Sequence, residues 1–89
     1  MLKLERRRSS IEIIADILRL GEASRPEIMY AVKMSYLQAQ KYLNHLLRLK
    51  LIDRTEFGTR PATYRVTRKG IRLLRDLDNV QEMLGGKTS

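Results

Sequence analysis

Gln38, Gln40, Lys41 and Asn44 are side chains whose chemistry suits nucleic acid. Primary amides can bond adenine in bidentate fashion, and a lysine ammonium reaches guanine or a phosphate oxygen. All four lie in one stretch, Ser35 to Leu49. At about 100° per residue, Ala39, Tyr42, Leu43, Leu46, Leu47 and Leu49 fall on one side of a helix. Leu37, Gln40, Lys41, Asn44 and Arg48 fall on the other. The apolar side must be buried against something. The opposite side is left to present amides and cations, with Tyr36 and Leu37 near the helix start placed to touch a thymine methyl or a sugar. Further along, Arg60 sits between Gly58 and Pro61, at the tip of an expected turn, and Arg54 and Arg65 flank it. Arg60 is the candidate for a minor-groove or phosphate contact.

Other chemistries find little support. With no cysteine, disulfides, thiolate nucleophiles and cysteine-based zinc sites are excluded. His45 is the lone histidine, and no cluster of His and carboxylates has metal spacing. The acidic residues are interleaved with arginines, as on a solvated helix surface, rather than gathered as an acid/base pair. No glycine-rich phosphate loop occurs. The expectation is a protein that is not an enzyme and uses no metal or cofactor. Eighteen Lys and Arg against ten Asp and Glu give a net charge of +8, with a pI near 10.3. Such an excess favours polyanions. One Phe and no Trp leave no aromatic cluster for stacking RNA bases. No apolar run approaches the ~20 residues of a membrane span, and Arg6, Arg7 and Arg8 are not followed by a signal-like segment. The expected location is therefore cytoplasmic and nucleoid-associated, with no membrane partner and no evident small-molecule ligand.

The elements that must hold these side chains are marked by local signals. Eighty-nine residues make one domain. Ser9 or Ser10 opens a first helix, Ser9 with Glu12 matching a capping box; its apolar face is Ile11, Ile14, Ala15, Ile17, Leu18 and Leu20, and Gly21 ends it. Ser24-Arg-Pro-Glu27 opens a second helix with Ile28, Met29, Ala31 and Val32 as its apolar side. Ser35 with Gln38 opens the third. Two capped helices joined by the tight turn Lys33-Met34 make a helix-turn-helix. The period then changes from about 3.6 to 2. Leu51–Thr55 and Thr63–Thr67 read as strands of a hairpin, or wing, across residues 56–62.

Thr67 caps a last helix, Arg68 to about Leu84, stopped by Gly85-Gly86. Ile71 and Leu74 are expected on the domain's own core. Leu73, Leu77, Val80 and Leu84 follow the 4-3-4 spacing of a coiled-coil seam and are expected to pair two copies, because the body is too small to cover so long a helix. The reading divides the chain into a basic arm (1–8), the helical and winged body (9–67), a dimerisation helix (68–84) and a tail (85–89). The fold class is mostly α with a small β-hairpin: a winged helix-turn-helix with a C-terminal dimerisation helix.

Ser35-Tyr-Leu-Gln-Ala-Gln-Lys-Tyr-Leu43, then Leu46-Leu47, Leu51-Ile52, and Tyr64-x-Val-Thr-x-Lys-Gly70, together with Ile28-Met-Tyr, resemble archaeal winged-helix proteins. The likeness extends over roughly 11–77, and is greatest to the small dimeric chromatin proteins of the ten-kilodalton "a" class. It implies double-stranded DNA binding and dimerisation through an antiparallel coiled coil of last helices. The last helix here is shorter than the rod of that class. Ser35 to Ile52 is also similar to arsenic-resistance-type repressors, except that Lys50 stands where those have glycine. A dimeric DNA-binding regulator is the leading expectation, with contacts from Ser35, Tyr36, Leu37, Gln38, Gln40, Lys41, Asn44, Arg54 and Arg60. An architectural chromatin protein and a winged-helix protein-interaction module stand as alternatives.

Overall fold

The computed structural model describes residues 9–85. The basic arm expected at 1–8, and the tail beyond Gly85, lie outside the described residues. The elements run α1 (Ser10–Arg19), β1 (Glu22–Ser24), α2 (Arg25–Val32), α3 (Tyr36–Arg48), β2 (Ile52–Thr55), β3 (Thr63–Val66) and α4 (Arg68–Met83). Three helices start as the sequence predicts. Ser9, Ser24 and Ser35 each accept a bond from the backbone N–H three residues on, and Glu12, Glu27 and Gln38 reach back to the cap's own N–H. Each box satisfies two backbone donors that the first helical turn leaves without intrahelical partners. Thr67 caps α4 through the Gly70 N–H.

The stops differ in chemistry from what sequence reasoning looks for. α2 ends at Lys33, in the left-handed region at φ 55°, and its N–H returns to the Met29 carbonyl. Lys50, after α3, has φ 64°. Both lysines therefore do what a glycine commonly does at a helix end, at a conformational cost that glycine avoids.

The sheet is larger than the expected hairpin. β1 pairs antiparallel with β3, and β3 with β2, in the order β1-β3-β2. β1 is three residues long and draws all its strand pairing from the distant β3, at Glu22↔Arg65, Ala23↔Tyr64 and Ser24↔Thr63. The Val66 N–H extends the ladder to the Gly21 carbonyl at 2.7 Å. Glu22-Ala-Ser alternates only once, with Ala23 buried between more exposed neighbours, and three residues are too few to mark a period in the sequence.

One core joins the layers. Ile17, Leu18, Ala23, Ile28, Val32, Leu43, Leu46, Leu51, Ile52 and Tyr64 are buried together. Each large aliphatic among them contributes about 1.5–3 kcal/mol by leaving water. The inward face of α1 is the expected one at Ile14, Ala15, Ile17 and Leu18, and differs at its edges: Ile13 also packs on the core, while Ile11 and Leu20 are exposed. Helical spacing admits either edge, and the position of α4 decides between them.

α4 docks by its first turns. Gly70 is buried against the Leu51 carbonyl, and Leu73 and Leu74 pack on the core. Arg19 of α1 holds Asp78 at 2.7 Å. This corrects two expectations: Leu73 belongs partly to the domain's own core, and Ile71 is exposed rather than packed inward. Beyond Asp78 the helix runs past the body, leaving Val80, Met83 and Leu84 exposed. No helix among the described residues is long and apolar enough to cross a membrane.

Candidate nucleic-acid interface

α3 has two unlike flanks, as its sequence requires. Ala39, Leu43 and Leu46 are completely buried, fixing the rotation of the helix. Tyr36, Leu37, Lys41, Asn44 and Arg48 are then outside, and Leu37 is 73% exposed. A leucine left in water at the first turn of a helix, between a tyrosine and a lysine, is an apolar contact without a partner. The exposed residues do not all offer the same capacity. Ser35 and Gln38 spend part of theirs on the cap, with the Gln38 Oε1 accepting from the Ser35 N–H at 3.2 Å. Gln40 is partly buried and donates from Nε2 to the Asn44 Oδ1 at 2.9 Å, so these two amides form one coupled pair. Lys41 is exposed and has no hydrogen-bond or ion partner among the described residues.

The loop that joins β2 to β3 turns at Gly58 (φ 55°) and is closed by the Arg60 N–H bonding the Phe57 carbonyl at 3.0 Å. Arg60 and Phe57 are exposed at its end. The two flanking arginines lie on opposite faces of the sheet, because direct cross-strand partners share a face and neighbours along a strand alternate. Arg54 stands across from the buried Tyr64. It pairs with the Glu56 carboxylate. The Tyr64 hydroxyl and then the Glu56 carboxylate raise its already high pKa, both favouring the cation. Arg65 stands between Glu22 of β1 and Asp53 of β2 in register, so acidic neighbours flank its charge. Of the three wing arginines only Arg54 makes an ion pair among the described residues; Arg65 has acids in register beside it, and Arg60 has none.

Two residues escaped the sequence reading. Arg25, the first residue of α2, donates from an Nη to the Tyr64 hydroxyl at 3.2 Å and stacks its guanidinium 5.0 Å from the centre of the Tyr36 ring. Tyr30, on the outer side of α2, is 87% exposed. Its neighbours Ile28 and Val32 mark α2 as amphipathic, which is a signal that it faces outward; nothing in the sequence brings Arg25 to Tyr64, 39 positions away. Between α1 and α3 an open cleft of about 410 Å³ is lined by Ser10, Ile14, Gln38, Lys41, Tyr42 and His45. There the Tyr42 hydroxyl donates to Ser10 at 3.1 Å. His45 therefore lies among hydroxyls and a lysine, and no group of three or more His, Cys, Asp or Glu able to hold a metal occurs among the described residues.

A helix-turn-helix followed by a basic antiparallel hairpin is thus assembled on one side of the molecule, and the family model for winged helix-turn-helix domains matches residues 7–85. The chain belongs to the winged helix-turn-helix family. Among solved structures this winged helix is similar to Sso10a-2, a DNA-binding protein from the archaeon Sulfolobus solfataricus. The identity is 27%, 86% of this chain and 85% of that one are covered, and the TM-score is 0.71. It is also similar to ZitR of Lactococcus lactis in complex with DNA, at 19% identity over 100% of this chain and 72% of that one, TM-score 0.66. A third is a MarR family transcriptional regulator from Silicibacter pomeroyi, at 18% identity over 89% of this chain and 56% of that one, TM-score 0.66. The last two likenesses concern the fold alone. No curated protein matches the sequence. The winged fold and the resemblance to the ten-kilodalton archaeal class, expected from the sequence, both stand.

Proposed function

We propose that this winged helix binds double-stranded DNA as a dimeric transcriptional regulator, with α3 in the major groove and the wing at 56–62 on the minor groove or backbone. One observation carries the reading. The exposed flank of α3 presents Leu37, Lys41, Asn44 and Arg48, beside a hairpin tipped by the uncompensated Arg60, in a chain of net charge +8. A helix of this kind fits the width of the major groove, and the wing then falls on the adjacent strand. The 27% identity to a DNA-binding protein over most of both chains supports the same partner.

Within this reading Lys41 and Arg60 supply charge. Asn44 and Gln40 offer their amides to base edges once their mutual bond opens, and Tyr36 and Leu37 pack on sugar or thymine methyl. Ser35 and Gln38 fix the helix start and offer what their cap leaves over. Arg54 lies nearer the backbone. Among the described residues no group of side chains is arranged for catalysis, and a DNA partner is consistent with a location in the cytoplasm on the nucleoid. Dimerisation rests on α4. Leu77 is half-buried, while Val80 (51%) and Leu84 (80%) leave apolar surface in water along the expected seam, which a second copy would cover.

The coupled Gln40–Asn44 pair favours a second reading, an architectural protein with little sequence preference, because amides already bonded to each other are less free to read bases. Binding-site selection from random duplexes at two salt concentrations separates the two. An enriched motif that persists at the higher salt supports a regulator. Tight binding without enrichment supports packaging. Absence of duplex binding at low salt contradicts both.

A further inference from the structure

Arg25 is held in place by two aromatic residues yet is not satisfied by them. Its guanidinium lies against the Tyr36 ring on the recognition helix and gives one N–H to Tyr64 on the sheet. Its Nε is buried and has no hydrogen-bond partner among the described residues. A guanidinium carries five N–H donors in a rigid fork; the buried Nε is out of a ligand's reach, and the Nη donors beyond the one bond to Tyr64 are the capacity Arg25 has left. Arg54 stands directly across the ladder from the same Tyr64. Two cations thus flank one hydroxyl at the junction of α2, α3 and the wing. The nearby carboxylates are committed elsewhere: Glu56 to Arg54, and Glu27 to the Ser24 N–H and hydroxyl at the α2 cap.

We propose that Arg25, with Arg54 beside it, clamps one backbone phosphate of the duplex at the junction between the recognition helix and the wing. This rests on the DNA-binding reading and names where a strand crosses the protein. A duplex that takes α3 in one groove and the wing in the next must carry its backbone over the ground between them, which is where Tyr36, Arg25, Tyr64 and Arg54 lie. Phosphate oxygens match the guanidinium fork in pairs. Stacking on Tyr36 and the bond to Tyr64 hold the fork before the ligand arrives, so little rotamer freedom is lost on binding. The same stacking couples the phosphate to Tyr36, so the clamp also sets the depth at which α3 enters its groove.

The test uses the full chain and a duplex of about three helical turns. Affinity is measured by fluorescence anisotropy across a salt series for wild type, Arg25→Gln and Arg25→Lys. Loss of one phosphate contact lowers the log–log salt slope by about 0.9 per subunit. At 0.15 M salt that corresponds to about a fivefold loss of affinity per subunit. Arg25→Gln shows this loss equally on unrelated duplexes, and Arg25→Lys keeps the slope. The side-chain Nε–H resonance of Arg25 in the ¹⁵N-labelled wild type gives a second readout that needs no variant, and decides even where Arg25→Gln melts early. It shifts on saturation with duplex, and with inorganic phosphate only at far higher concentration. An Arg25 resonance unmoved by saturating duplex, or a wild-type slope in a folded Arg25→Gln, overturns the clamp while leaving DNA binding intact. Failure of the wild type to bind any duplex removes both.

Discussion

Replacing Gly70 with alanine tests how α4 is seated, and the sign of the effect is informative. Alanine is favoured over glycine in a helix interior by about 1 kcal/mol, so a glycine in α4 without a packing role would be improved by the change. The structure predicts the opposite. A Cβ at Gly70 falls on the Leu51 carbonyl oxygen and 2.7 Å from Val66 Cγ2. The Leu51 carbonyl is backbone and cannot rotate away. It is already tied to α4, accepting from the Thr67 N–H at 3.0 Å. The adjoining carbonyls of Lys50 and Leu49 accept from the Thr67 hydroxyl at 2.8 Å and the Lys69 ammonium at 3.0 Å. Overpacking costs about 1–3 kcal/mol, and loss of one of these bonds about 1 kcal/mol more. Set against the helix gain of about 1 kcal/mol, the net is a destabilisation of roughly 1–3 kcal/mol. For a chain of this size that lowers Tm by roughly 5–20 °C. Thermal unfolding by circular dichroism reads it, at fixed protein concentration because association shifts Tm. Asn79→Ala, at an exposed position of the same helix, serves as the control and raises Tm slightly. A Gly70→Ala variant that melts at or above the wild-type temperature refutes this seating of α4.

Other substitutions probe the remaining parts. Lys33→Gly and Lys50→Gly each relieve a left-handed lysine and stabilise by about 0.5–1 kcal/mol, seen as a higher denaturant midpoint with an unchanged m-value; a lower midpoint would show that the lysine side chains matter more than their backbone. Val80→Asp combined with Leu84→Asp yields a monomer in sedimentation equilibrium with an unaltered circular dichroism spectrum, whereas an unchanged mass would place the subunit contact elsewhere. Lys41→Ala combined with Arg60→Ala lowers the salt slope of duplex binding by roughly 1.8 per subunit, the value for two phosphates; an unchanged slope would show that neither cation meets the backbone.

Chemistry completed within one helical turn is legible in the sequence, whereas contacts between distant segments leave no mark in it. The three serine capping boxes involve residues three apart, so their chemistry is complete within one turn, and each helix begins where its serine says. The amphipathic division of α3 holds for the same reason, with Ala39, Leu43 and Leu46 buried and Lys41 and Asn44 outside. Phase errors arose where a helix has more apolar residues than one face can hold. On α1, Ile11 and Ile13 compete for the core. On α4, Ile71 and Leu73 do, and the close approach at Gly70 fixes the rotation that admits Leu73. β1 exists only because β3 passes beside it, so its three residues carry no mark of their own. Left-handed lysines hide helix ends that a glycine would announce. The Arg25–Tyr64 contact joins residues from a helix cap and the far strand of a hairpin, a proximity that only the sheet order β1-β3-β2 creates.

The most direct test of the DNA-binding assignment is a map of backbone amide shifts in the ¹⁵N-labelled protein on titration with a duplex. The largest changes are expected at Tyr36, Leu37, Lys41, Asn44 and Arg48 on α3 and at residues 56–62 of the wing. Little change is expected on the buried positions Ala39, Leu43 and Leu46. Shifts confined to α4, or spread over the surface without favouring α3 and the wing, would contradict it.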